Sequence, residues 1–406
     1  MKTKIMIVML VLSALLLGCT PQPSQTIAEE TGATPEGVNE VVNANNQLAF
    51  DLYSKLSKDE NLFVSPWSIL TALSMTCEGA RGKTADEMKS VLHLPDSAAR
   101  LGSIAKIYNE LNQKGKKYML YTANALWAQK DFSFLQEYFE KVEKYYGGKA
   151  TNLDFVSKTE ESRKTINDWV ESMTNSKIKD LFPAGTITAD TRLVLTNAIY
   201  FKGTWVKQFD KENTMEQDFW VTPERKVSAE MMSLRKEKFN YFENENLQIL
   251  EMPYSGEDLS MLILLPKQKN INGLEQSISA AKLSEWRSQM SKQEVDVFLP
   301  KFTFKKKYFL KDTLAEMGMP TAFTDNADFS GMDGRKDLFI SIVVHEAFVK
   351  VDEEGTEAAA ATGVAMELTA AMEKNIFYAN HPFMFLIQQK DTGNILFLGK
   401  VVNPTE

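Results

Sequence analysis

Glu353-Glu354-Gly355-Thr356-Glu357-Ala358-Ala359-Ala360-Ala361-Thr362-Gly363 is the stretch on which the reading of this chain turns. It follows Leu338–Val351, the longest strand candidate, and continues as Val364-Ala365-Met366-Glu367-Leu368-Thr369-Ala370-Ala371-Met372. By propensity, its alanines, methionines and glutamates favour a helix, against Gly355 and Gly363. Read with period two, Thr356, Ala358, Ala360, Thr362, Val364, Met366 and Leu368 share one uncharged face, and Glu357 and Glu367 fall on the other. A strand so built can slide between existing strands without clashes and keep its glutamates wet. An Ala-rich surface helix or an irregular loop accommodates the same residues, and the pattern alone does not choose.

The flanking sequence mixes both periodicities. Ser65-Pro66 opens a helix, with serine as N-cap and proline in the first turn; Ile69, Leu73 and Cys77 follow at helical spacing and Gly79 stops it. Leu135, Tyr138, Val142 and Tyr145 mark a second amphipathic helix closed by Gly147-Gly148, and Ile166, Trp169, Val170 and Met173 a third. Leu193–Phe201 is apolar on both alternating faces, as in a central strand covered on both sides. Phe383–Ile387 and Ile395–Val402 flank the turn signal Asp391-Thr392-Gly393-Asn394, which predicts a hairpin. The class is α+β with large mixed sheets in one domain.

Composition narrows the possibilities. The 406 residues are 44% hydrophobic and 25% charged with a formal net charge of −8, which excludes a disordered or fibrous chain and argues against nucleic acid as a partner. Lys2 and Lys4 precede an apolar run from Ile5 to Leu17, too short to span a bilayer but suited to a secretory signal. The run ends Leu16-Leu17-Gly18-Cys19, which resembles a bacterial lipobox and would place diacylglycerol on Cys19. Residues 1–18 therefore read as a lipoprotein signal peptide. Thr20 to Glu40, with three prolines and four glutamates but no lysine or arginine, reads as part of a flexible tether over 19–40, and 41–406 as the folded domain. Cys77 is then the one cysteine of the folded part, so no intramolecular disulfide is expected.

Catalytic signatures are missing: there is no G-x-S-x-G, no glycine-rich phosphate loop and no H-E-x-x-H. His345 shares a strand face with Val343, Ala347, Val349 and Val351, where a hydrogen-bonded core histidine is the simpler reading than a general base. His93 stands at a helix end and His381 precedes Pro382 in a loop. Cys77 lies on an apolar helical face. Nothing assembles a nucleophile with its base, so no enzyme, cofactor or metal is expected.

Together with Asn61-Leu62-Phe63-Val64-Ser65-Pro66 and Ser68, Thr196-Asn197-Ala198-Ile199-Tyr200-Phe201-Lys202-Gly203 and Trp205, the stretch at 353–363 resembles the serpin family. Leu299-Pro300-Lys301-Phe302, Ala327-Asp328-Phe329-Ser330-Gly331, Val344-His345-Glu346-Ala347, His381-Pro382-Phe383, Phe397-Leu398-Gly399-Lys400 and Val401-Val402-Asn403-Pro404 extend the likeness over residues 48–404. The 353–363 segment is similar to the hinge of inhibitory serpins. A departure lies at Thr174-Asn175-Ser176-Lys177-Ile178, where the family often carries glycine near Ser176. Lipobox and tether resemble those of bacterial lipoprotein serpins of the broad-specificity miropin type.

The resemblance implies three β-sheets, about nine helices and an exposed reactive-centre loop over about 355–381. It implies a monomer that traps serine proteases: the target cleaves the loop, and the freed hinge inserts into the central sheet and drags the acyl-enzyme with it. Hinge residues are then Glu353, Gly355, Thr356, Glu357, Ala358, Ala359, Ala360, Ala361 and Thr362. Ser65, Ser68, Asn197 and His345 form a polar shutter, and Trp205, Lys301 and Glu353 a breach at the top of the sheet. The family's usual spacing from the hinge puts the reactive bond at Thr369–Ala370, with Leu368, Ala371 and Met372 as alternatives. A non-inhibitory serpin acting as a surface binding protein is the alternative reading. Either way the expected site is the cell envelope or surface, the outer membrane first, with the membrane engaged through the Cys19 lipid.

Overall fold

The computed structural model describes residues 27–356 and 375–406. Among these residues stand ten α-helices: α1 (Pro35–Leu56), α2 (Pro66–Cys77), α3 (Gly82–Val91), α4 (Arg100–Asn112), α5 (Gln136–Tyr146), α6 (Thr159–Met173), α7 (Asn272–Ser277), α8 (Ala280–Gln289), α9 (Lys311–Met317) and α10 (Ser330–Asp333). Where about nine were expected, the tenth is the single turn α10. The strands are β1 (Leu62–Val64), β2 (Tyr118–Gln129), β3 (Lys149–Leu153), β4 (Leu193–Thr204), β5 (Met215–Trp220), β6 (Lys226–Glu243), β7 (Leu247–Pro253), β8 (Leu259–Pro266), β9 (Ser291–Pro300), β10 (Phe302–Phe309), β11 (Ile340–Asp352), β12 (Gly355–Thr356), β13 (Asn375–Tyr378), β14 (Phe383–Gln389) and β15 (Ile395–Val401).

The fold is α+β, as expected, but the described strands form two hydrogen-bonded sheets rather than three. One runs β1-β15-β14-β8-β7-β6-β9-β13 with β5 on β6, and the other β10-β11-β12-β4-β2-β3. The long strand β6 is the reason. It pairs with β5 and β9 over its first part and with β7 and β9 over its last, shifting register between Leu234 and Glu237, so two ladders fuse into one.

Strand β4 is the centre of the six-stranded sheet. Leu193, Leu195, Ile199 and Phe201 face the main core, whereas Val194 and Ala198 face a second core with Trp127, Ile166 and Val170 beneath α6. Burial on both faces explains why the sequence of β4 carries no alternation. Helix α2 starts as expected, with the Ser65 hydroxyl accepting the Ser68 N–H at 3.2 Å and Pro66 in the first turn. Helix α5 buries Tyr138, Val142 and Tyr146; Leu135, expected on that face, precedes the helix and is 41% exposed.

Two boundaries differ from expectation. Helix α1 begins at Pro35, because Thr34 caps it by accepting the Gly37 N–H at 3.0 Å and proline suits the first turn. Residues 27–34, read as tether, are held against α4 and α5. Both ends of the segment expected to run free over 355–381 are paired among the described residues, Gly355–Thr356 in β12 and Asn375–Tyr378 with β9. No helix among the described residues is long and apolar enough to cross a membrane.

Candidate functional site

The central pair of the six-stranded sheet has an unusual order. Strands β4 and β11 run parallel, in continuous register from Val194 opposite Ile342 to Tyr200 opposite Phe348 after a shift between Ile340 and Ile342, while each is antiparallel to its outer neighbour. At the top of the pair the two strands part, and β12 enters between them. It pairs antiparallel to both, Thr356 opposite Gly203 and Val351, and Gly355 opposite Thr204 and Asp352.

Close packing holds this wedge. Gly355 has φ +154°, and a Cβ there would lie 2.1 Å from the Gly203 carbonyl oxygen, so a side chain would push the segment out. Thr356 is 1% exposed, and its hydroxyl shares a 2.7 Å hydrogen bond with the Tyr254 hydroxyl. Tyr254 in turn stacks on Trp205 at 4.6 Å between centroids. The core-facing side of β12 is therefore the side that carries Thr356.

The turn feeding β12 is fixed from one neighbouring segment. The Trp205 indole N–H donates to the Asp352 carbonyl at 3.1 Å, the Phe209 N–H to that of Glu353 at 2.8 Å, and the Trp205 N–H to that of Glu354 at 2.9 Å. Lys301 lies 3.3 Å from Glu353 and 3.1 Å from Glu230, and Thr214 Oγ1 donates to Glu353 at 2.9 Å. Burial pushes the Glu353 carboxyl up, but its own backbone N–H, Thr214 and Lys301 outweigh this and hold it below its ordinary range. Lys211 pairs with Glu354 at 2.7 Å and Lys350 with Asp352 at 3.0 Å. Three adjacent acids are thus neutralised by three lysines around one polar cleft.

Lower in the sheet, the structure gathers Ser65, Ser68, Asn197 and His345. His345 is fully buried, and its Nε2 accepts the Ser65 N–H at 3.1 Å. The proton must then sit on Nδ1, which donates to Asn197 Oδ1. Asn197 Nδ2 donates to Ser68 Oγ and to Asn124 Oδ1, both at 2.6 Å, and the Ser65 hydroxyl donates to the Leu396 carbonyl at 2.6 Å. Burial pushes the imidazole pKa from 6.5 to about 3, so the network is neutral. His345 and Asn197 stand directly opposite each other on β11 and β4, and their hydrogen bond spans the junction.

Glu357, Ala358, Ala359, Ala360, Ala361 and Thr362, the bond residues Leu368, Thr369, Ala370, Ala371 and Met372, and Cys19 all lie outside the described residues. Sequence reasoning missed Tyr254, Asn124, Thr214 and the Lys211–Glu354 pair, which carry no local signal because their partners are distant in the chain. Ser176, flagged as a departure, has φ +58° beside Asn175 at +51°, so the tight turn where the family often has glycine is made here by two non-glycine residues. Cys77 is buried and its thiol is pushed up to about 11, chiefly by burial. Among the described residues, no group of His, Cys, Asp and Glu side chains is placed to hold a metal.

A family model described as Serpin (serine protease inhibitor) matches residues 43–404. Serpin B4 of Homo sapiens is 44% identical over 391 residues, covering 90% of this chain and 100% of that protein. An uncharacterized serpin-like protein of Methanosarcina acetivorans is 42% identical over 423 residues and covers 99% of each chain. Among solved structures, human thyroxine-binding globulin complexed with thyroxine superposes with a TM-score of 0.83 at 32% identity, over 91% of this chain and 100% of that one. These relatives are human and archaeal, and they do not speak to the bacterial lipoprotein branch suggested by Gly18-Cys19.

Proposed function

This chain belongs to the serpin family, the serine protease inhibitors, and is not an enzyme; from that premise we propose that it is a suicide-substrate inhibitor that traps a serine protease by inserting its cleaved reactive loop between β4 and β11. The observation that carries this reading is β12, which already runs antiparallel between two parallel strands. A parallel pair flanked by antiparallel neighbours is the place where one further strand restores uniform antiparallel pairing.

The register of β12 dictates how the strand would grow. With Thr356 opposite Gly203 and Val351, Ala358 meets Phe201 and Val349, and Ala360 meets Ile199 and Ala347. Thr362 then arrives between Asn197 and His345, where its hydroxyl can take over the hydrogen bond that insertion breaks. Val364 follows between Leu195 and Val343. Glu357 falls on the opposite face between Lys202 and Lys350, which pairs its charge from both sides. Burying Val364, Met366 and Leu368 contributes about 1.5–3 kcal/mol each, and about a dozen ladder hydrogen bonds add ~0.5–1.5 kcal/mol apiece. The uncleaved state is then kinetically trapped.

Cleavage at Thr369–Ala370, or at a neighbouring bond between Leu368 and Met372, points to elastase-, subtilisin- or chymotrypsin-like targets. No lysine or arginine stands between Gly355 and Glu373, which disfavours trypsin-like enzymes. The inhibitor acts as a monomer without cofactor, anchored through lipid on Cys19 at the bacterial cell envelope, in the manner of the miropin-type lipoproteins.

A second reading is a serpin that binds a partner without trapping proteases. The comparisons with solved structures back it better than the first, since human thyroxine-binding globulin is among the likenesses. The uncharged hinge face and the wedge at β12 support inhibition. Incubation with elastase and a denaturing gel decides between them: inhibition gives a stable covalent band of combined mass, and clean cleavage without such a band overturns it.

A further inference from the structure

The docked segment 27–34 decides which side of the molecule can meet a membrane. Ala28 is buried on α4, its N–H donating to Asn109 Oδ1 at 2.8 Å while Asn109 Nδ2 donates back to the Ala28 carbonyl at 2.7 Å. The Glu29 N–H donates to the Lys144 carbonyl at the end of α5 at 2.6 Å, and the Glu29 carboxylate pairs with Lys144 at 3.0 Å. A glycine inside α4 makes the groove. At Gly102 a Cβ would lie 2.5 Å from the Thr31 carbonyl oxygen, 2.7 Å from the Ala33 nitrogen and 3.0 Å from the Glu30 carbonyl oxygen.

Chain length then limits orientation. A tether free from Cys19 to residue 41 reaches about 75 Å when fully extended, more than the roughly 55 Å breadth of a domain this size, and any face could turn to the lipid. With Ala28 fixed, the nine steps from Cys19 reach at most about 30 Å. The far side is out of range. Ile27 is 85% exposed where the chain leaves the groove, and Phe139, on the same helix as Lys144, is 39% exposed.

We propose that a bilayer carrying the Cys19 lipid faces the α4–α5 side of the domain, so that the β3 edge of the six-stranded sheet lies toward the lipid and the β10 edge away from it. The proposal rests on the lipid-anchor reading. With the protease-trapping reading as well, a protease carried along the slot would travel beside the membrane rather than into it.

The test uses residues 19–406 with Cys19 coupled to a maleimide-headgroup phospholipid in phosphatidylcholine vesicles; buried Cys77 leaves Cys19 as the reactive thiol. Lysine acetylation is compared with that of the uncoupled protein. Lys106 on α4 and Lys141 on α5 should be protected at least threefold and Lys305 on β10 not at all. In Gly102→Ala, which favours helix but fills the groove, and independently in Asn109→Ala, the difference should fall below about 1.5-fold while amide exchange at Glu29 accelerates. Equal protection of Lys106 and Lys305 in the unaltered protein, or an asymmetry that survives release of the segment, overturns the proposal. The mass of the N-terminal peptide after expression in a bacterial host tests the anchor separately. An unacylated Cys19 removes the natural membrane and with it the proposal, whatever the coupled protein shows about the docked segment.

Discussion

The imidazole of His345 donates to the side-chain carbonyl of Asn197 across the junction of β11 and β4, so a buried side-chain hydrogen bond reinforces the backbone ladder along the line where the sheet would open. Removing the ring leaves Asn197 Oδ1 and the Ser65 N–H without these partners, at a cost of about 1–3 kcal/mol for each buried group. His345→Ala is expected to lower the barrier to opening and to yield latent or polymerised protein after mild heating. Native gels check this, and mobility like that of the unaltered protein would remove His345 from the closure.

The same burial predicts a pH dependence with a definite sign. The folded-state pKa of His345 is near 3 and that of an exposed imidazole near 6.5. Below 6.5 the unfolded chain therefore binds a proton that the folded chain does not. The stabilisation is complete above that pH and declines as pH falls, by about 1.4 kcal/mol per unit, until the folded group titrates. Glu353 and Glu275 are held below their ordinary range and add losses of the same sign at lower pH. The Tm of His345→Gln should fall less between pH 6.5 and 5 than that of the unaltered protein. Parallel Tm curves would refute the assignment.

Local signals were legible and distant ones were not. Ser65-Pro66, the two-sided apolar run of β4 and the Asp391–Asn394 turn all act within a few residues of themselves, and each lies where it was read. The start of α1 was legible in Thr34-Pro35 but was masked by the polar composition around it. Docking of Ala28 depends on Gly102 and Asn109, and the merger of two sheets depends on the pairings of β6, which no window of sequence contains. In the candidate site, Lys301 and Glu353 came from the family resemblance, whereas Tyr254 joins Thr356 through a contact 102 positions apart.

Lys301 and Glu353 should be energetically coupled. Glu353 is 6% and Lys301 28% exposed at the side chain, so the pair is screened less than a surface bridge. A double-mutant cycle with Lys301→Met and Glu353→Gln, read as polymerisation rate, is expected to give about 0.5–3 kcal/mol of coupling. Glu230 and Thr214 remain as alternative partners and hold the value toward the lower end. Additive rates would show that the bridge does not guard the top of the sheet.

Thr356 allows a sharper test of insertion. Its side chain is buried beside Tyr254, so Thr356→Arg would place an unpaired guanidinium in the core at the first step. The variant is expected to be cleaved normally and to release active protease, with covalent complex reduced at least tenfold. Full inhibition by Thr356→Arg would falsify strand insertion.

The bond that the target cuts follows from the length of strand that must enter the sheet. Counting from Thr356 in register, residue 366 reaches the level of Leu193 at the far end of β4, so a cut near residue 369 allows the whole slot to fill. A cut after Met366 leaves a strand that ends level with Leu193, with no residues beyond the ladder to carry the acyl-enzyme clear of the sheet, and it should yield an inactive cleaved inhibitor rather than a complex. Thr369, Ala370 and Ala371 fit the small pockets of elastase-like enzymes, whereas Leu368 and Met372 suit chymotrypsin- and subtilisin-like ones. Elastase is therefore expected to be trapped with a released peptide that begins within residues 369–372. N-terminal sequencing of that peptide measures it directly. A start upstream of residue 369 in a stable complex would break the link between strand length and trapping, because the shorter strand would then have sufficed.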